Sequence, residues 1–100
     1  MNVKEFREWV GRQIENFQKI YRTFPTQIMI NELMKYKLSG ITGIDGIDVH
    51  KISNCITEDD INGLLGNSNL KVMITEIDDV TRDVIIFKDN NGNQISVVFP

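Results

Sequence analysis

"RDVIIFKDNNGNQISVVF", residues 82–99, sets two strand-like runs around a turn, and the register between them decides how the sheet is covered. Val84 to Phe87 and Ile95 to Phe99 are rich in β-branched and aromatic residues, and the Asn91-Gly92 pair between them is a strong hairpin signal. A two-residue type I′ loop at Asn91-Gly92 puts Asn90 opposite Asn93. Ile86 then faces Val97 and Val84 faces Phe99 on one side, with Ile85 facing Val98 on the other. Both faces are apolar. A strand apolar on both sides has to be covered on both sides, by helices or by another chain. Ile85, Phe87 and Val98 are therefore expected to pack against a helix or a protein partner.

Immediately upstream, "LKVMITEI" (70–77) supplies a further strand, joined to the hairpin by a turn around Asp78 to Thr81. The C-terminal part thus reads as a three-stranded antiparallel meander. A calcium loop at "DNNGN" (89–93) is rejected, because the ligand spacing, the glycine at position six and the glutamate at position twelve are missing.

The N-terminal part is helical. Val3, Phe6, Val10, Ile14, Phe17, Ile20 or Tyr21, and Phe24 recur at three- and four-residue spacing and form one apolar stripe. Glu8 with Arg12 and Glu15 with Lys19 add favourable pairs on the remaining surface. Pro25 disfavours a helical Phe24, so the helix is expected to stop near Thr23. "TQIMI" (26–30) reads as a short buried strand, with Asn31 as N-cap of a second helix from Glu32 to about Leu38 that Ser39 and Gly40 close. Thr57 and Asp60 resemble a capping box at the start of a short acidic helix that Gly66 can end.

Between these helices lies "ITGIDGIDVHKI" (41–52), glycine-rich and holding the single histidine. A phosphate cradle needs a following helix N-terminus and usually a lysine with a hydroxyl residue. Here an alternating run from Ile47 to Ile52 follows, and Asp45 and Asp48 would repel an anion, so the stretch reads as a loop feeding a strand. The whole chain is expected to be one α+β domain, residues 1–100, with an N-terminal amphipathic helix, short strands and helices, and the C-terminal meander.

Composition narrows the function. The 100 residues are 41% hydrophobic and 25% charged, as in ordinary globular chains. No apolar run approaches a membrane span, and "MNVKEFREWV" is too charged for a secretory signal, so a cytoplasmic location is expected. The lone Cys55 fits a reducing compartment. Net charge is −3, distributed as seven Lys/Arg against four Glu in residues 1–40 and four against ten Asp/Glu in residues 41–100. An acidic C-terminal part does not suit general nucleic-acid binding, although Trp9, Arg7, Arg12, Lys19 and Arg22 leave an accessory role on the first helix open.

The catalytic inventory is thin. Asp45, Asp48 and His50 could begin a metal site, but no second histidine completes a typical set, so no metal and no cofactor are expected. His50 and Cys55 could form a dyad only if the fold joined them, and the acids following Cys55 disfavour its thiolate. The chain is expected not to be an enzyme.

The absence of alanine, beside fifteen isoleucines and ten asparagines, points to an AT-rich gene. "FPTQIMINELMKYKL" (24–38) and "GIDVHKI" (46–52) follow an order of elements that resembles small phage and prophage proteins of low-GC bacteria. That resemblance implies a phage origin and carries over no catalytic residue. The functional expectation is a non-enzymatic protein-binding domain, a phage or mobile-element factor that binds and inhibits a host defence protein. Its partner surface would comprise Glu76, Asp78, Asp79 and Asp83 around the first meander turn together with Ile85, Phe87 and Val98. A homo-oligomeric or virion-associated component and a nucleic-acid accessory are the alternatives.

Overall fold

The computed structural model describes residues 2–31, 38, 57–75 and 84–100. The expected first helix is α1, Val3–Tyr21, and its start is fixed by a capping box. The Asn2 side chain accepts the Glu5 N–H at 2.8 Å, while Glu5 accepts the Asn2 N–H. Phe6, Val10 and Phe17 of the stripe are buried, and so is Trp9, which the expected stripe did not include. The helix closes on Arg22, which adopts a left-handed conformation (φ 60°) and donates its N–H to the Gln18 carbonyl. Phe24, past this cap, leaves the stripe and is largely exposed.

The second described helix is α2, Glu58–Leu65, with both halves of the Thr57/Asp60 capping box formed as the sequence suggests. Gly66 ends it at φ 63°, donating its N–H to the Asn62 carbonyl. No basic residue occupies the last turn of α2. Arg7 of α1 supplies that charge instead, with its guanidinium donating to the Leu64 carbonyl at 2.9 Å and to the Gly63 carbonyl at 3.4 Å. A Cβ on Gly66 would come within 3.1 Å of this guanidinium, so glycine is needed there both for its φ and for the docking of the two helices.

Four strands form one mixed sheet: β1 (Gln27–Ile30), β2 (Lys71–Ile74), β3 (Val84–Lys88) and β4 (Gln94–Val98), in the order β2-β1-β3-β4. The α+β class and the antiparallel C-terminal pair are as expected. The three-stranded meander is not: β1 stands between β2 and β3, parallel to the former and antiparallel to the latter. β1 is apolar on both faces and carries no charge, which suits a central position, whereas β2 begins on an exposed lysine and lies at the edge. The parallel pairing is possible because the long connection from β1 to β2 carries α2.

The hairpin register also differs by one residue from the expected one. Val84 pairs with Val98, Ile85 with Val97, Ile86 with Ser96 and Phe87 with Ile95. A type I′ turn needs positive φ at both central residues, yet at this turn only Gly92 has it (φ 87°). The loop is instead three residues long, 90–92, and Asp89 organises it. Its N–H donates to the Asn93 carbonyl, and its carboxylate accepts the N–H of Asn91 at 2.9 Å, the N–H of Asn93 at 3.1 Å and the Asn93 side-chain amide at 2.9 Å. Because side chains alternate along a strand, this slip on one strand moves Val98 to the face opposite Ile85 and Phe87.

The helix-facing side of the sheet consists of Val72, Ile28, Phe87 and Ile95 in one cross-strand row and Ile74, Ile30, Ile85 and Val97 in the next. These residues meet α1 and α2 in a single core that also includes Leu38, Leu70 and Phe99. Trp9 packs its ring against Phe99 (5.2 Å between centroids) and Phe87 (6.2 Å), and Phe6 meets Phe99 edge-on at 5.8 Å. Each such large side chain contributes roughly 1.5–3 kcal/mol by burial. The expected helix at 32–38, apart from buried Leu38, and the loop and strand at 41–52 lie outside the described residues.

Candidate functional site

Of the residues expected to meet a partner, Ile85 and Phe87 are core residues beneath the helices, 2% and 0% exposed, and so form no part of a docking surface. They lie on the β3 face, shared with Ile28 and Ile30 of β1, that α1 and α2 cover. Val98 lies on the other face and is 56% exposed. Glu76, Asp78, Asp79 and Asp83 lie outside the described residues, as do Asp45, Asp48, His50 and Cys55. Among the described residues no group of three or more His, Cys, Asp or Glu side chains could hold a metal ion, and no helix is long and apolar enough to cross a membrane. On α1, Trp9 is buried in the aromatic cluster and so is not free to stack on a base, while Arg7 donates to α2 carbonyls.

The chemistry that remains is that of the sheet's two edges. Lys71 of β2 and Thr75 just after it donate their N–H groups to the carbonyls of Thr26, just before β1, and of Ile30, so the groups of Val72 and Ile74 point away from the sheet. Both N–H groups find partners on α2: Val72 donates to the Asn62 side chain and Ile74 to the Glu58 carboxylate, each at 2.9 Å. The match is geometric. Residues 72 and 74 are separated by two strand residues, about 6.6 Å, and residues 58 and 62 by one helical turn, about 6 Å.

On β4 the alternation runs the other way. The bond from Asp89 N–H to the Asn93 carbonyl starts the β3–β4 ladder, so Ile95 and Val97 turn their backbone groups to β3 and Gln94, Ser96 and Val98 turn theirs outward. The Tyr21 hydroxyl donates to the Gln94 carbonyl at 2.8 Å. No described residue bonds to the outward groups of Ser96 or Val98, and both residues are exposed. Beside this edge, the sheet face away from α1 and α2 carries Met29, Met73, Ile86 and Val98, with Met73 42% exposed.

Sequence reading finds Val98 but misses Glu58, Asn62 and Tyr21, which separate the covered edge from the open one. The signal available was the i,i+4 spacing of two hydrogen-bonding residues on α2 ahead of a strand, which gains meaning only once that strand is known to be an edge. A shallow groove of about 450 Å³ between Ile14, Phe24, Pro25, Thr26 and the 67–70 turn is lined by no titratable side chain. The candidate site is therefore an open strand edge with an apolar corner at Val98. No known protein family, curated protein or solved structure matches the chain.

Proposed function

We propose that this chain is a non-enzymatic protein-binding domain that docks through the β4 edge by strand addition. The observation that carries the reading is the asymmetry of the two edges: α2 side chains occupy the outward N–H groups of β2, while no described residue takes those of Ser96 and Val98 on β4. An extended strand can satisfy such a row with main-chain hydrogen bonds and take specificity from alternate side chains, here Val98 and its neighbour Ile86. The finer form of the reading is a cytoplasmic phage or mobile-element factor that occupies a host protein. The resemblance of residues 24–52 to phage proteins supports it, as does the acidic run Glu76, Asp78, Asp79 and Asp83, which suits a basic partner surface.

The test is capture from a low-GC bacterial lysate with wild type and with Val98→Lys, followed by amide exchange on the complex. The reading expects a protein retained by wild type and lost with the variant, with the Ser96 and Val98 amides slowed in the complex. Equal retention by both chains would move the binding surface elsewhere.

A further inference from the structure

We propose that the occupant of the β4 edge is a second copy of this chain, paired antiparallel about Ser96 so that two four-stranded sheets join into one; this rests on the strand-addition reading above. The hydrogen-bond pattern is self-complementary. The outward groups belong to Gln94, Ser96 and Val98, so a two-fold axis at Ser96 sets that residue against its own copy and Gln94 against Val98 of the other chain. Each of these pairs can exchange both N–H···O=C bonds. The Gln94 carbonyl retains its Tyr21 hydroxyl, because a carbonyl oxygen accepts two hydrogen bonds.

Charge selects the same occupant. A two-fold axis brings each nearby charge against its like, and exposed edges are normally guarded by charged residues. β4, Gln-Ile-Ser-Val-Val, has none. Beside it, α1 runs antiparallel to β4, with Phe6 and Trp9 at Phe99 and Tyr21 at Gln94. At about 100° per residue, Asn16 stands about 180°, Glu5 about 160°, and Ile20 and Arg12 about 140° to either side of Arg7, which faces α2. The side of α1 turned from α2 thus presents Asn16 and Ile20 at its middle, with the opposite charges of Glu5 and Arg12 at its border. Ile20 is 62% exposed and Val98 56%. Two strand edges and two helix sides make a small interface, of the class that associates transiently.

Light scattering on chromatographed wild type, from ~5 to ~500 μM, reads this directly. The weight-average mass should climb from one chain toward two, with the Ser96 and Val98 amides slowing by at least ~10-fold over the same range while Val72 and Ile74 stay constant. Ser96→Lys places a lysine against its copy at the axis and should remain one chain throughout, with the circular dichroism and Tm of wild type. Val98→Lys is the second variant should Ser96→Lys fail to fold. A wild type that stays one chain at ~500 μM overturns the proposal, as does a dimer that survives both lysines. Were the wild type to stay one chain, protection of Ser96 and Val98 by the lysate protein captured above would keep the strand-addition reading and reject only the second copy. Unprotected amides in both settings would reject both.

Discussion

The two edges of one sheet differ in how their outward backbone groups are satisfied. β2 has a helix packed alongside whose Glu58 and Asn62 sit one turn apart and take the Ile74 and Val72 N–H groups, so the edge is closed from within the chain. β4 has a helix alongside too, but α1 bonds to the edge through Tyr21 at Gln94, and no described residue takes the outward groups of Ser96 and Val98. Covering a sheet face and closing a sheet edge are thus separate tasks. α1 buries the larger aromatic side chains and leaves the edge beneath it largely open, while the shorter α2 closes its own.

The comparison depends on the register, and breaking the register carries the largest expected effect. Ile85→Asp places a carboxylate between Ile30 and Val97 under the helices, and should cost about 4 kcal/mol or more, enough to unfold a marginal domain. Chemical denaturation measures it. Val98→Asp, on the exposed face, should by contrast stay within about 1 kcal/mol of wild type. Had the type I′ register been correct, Ile85 and Val98 would have been cross-strand neighbours with similar costs.

Asn62→Ala comes next, because it makes the β2 edge resemble the β4 edge. It leaves the Val72 N–H without its partner in a partly buried setting, and a loss of about 1–3 kcal/mol is expected. Amide exchange should show Val72 accelerated while Ser96 is unchanged. Arg7→Ala, which removes the guanidinium from the C-terminal end of α2, should cost about 1–2 kcal/mol by the same denaturation assay and loosen α2 from α1.

The smallest effect is tied to pH and to the loop that sets the register. Burial raises the pKa of Asp89, but hydrogen bonds from the Asn93 side chain and from the Asn91 and Asn93 N–H groups outweigh it, holding the carboxyl below its ordinary value of 3.8. A depressed folded pKa means that the stabilisation is complete above the unfolded value and is lost as pH falls below 3.8 through the folded one. Thermal melts of wild type between neutral pH and pH ~3 should therefore fall more steeply than those of Asp89→Asn, which has no proton to take up there. Parallel curves would detach Asp89 from the turn's stability.

The two described helices were legible in the sequence because their signals are local. The Val3 to Phe17 stripe, Pro25, and the Thr57/Asp60 and Gly66 ends each act within a few residues. The hairpin was legible as a hairpin but misread by one residue, since Asn91-Gly92 suggests a two-residue loop while the three-residue loop is dictated by the Asp89 carboxylate. Strand order was not legible at all. Nothing local to β2 tells it to pair with β1 across the chain rather than with β3, and without that order neither edge can be identified. Of the expected partner residues that are described, Val98 reaches the candidate site, because the register slip sets it on the face opposite Ile85 and Phe87, which the helices bury.

The difference between the two edges is measured most directly by amide hydrogen exchange on the dilute wild-type chain, at concentrations where self-association is negligible. Val72 and Ile74, outward-facing on β2, should be protected by Asn62 and Glu58, while Ser96 and Val98, outward-facing on β4, should exchange near the rate of an unstructured chain. Equal protection at the two edges would contradict the account, for it would mean that β4 is closed from within the chain as β2 is.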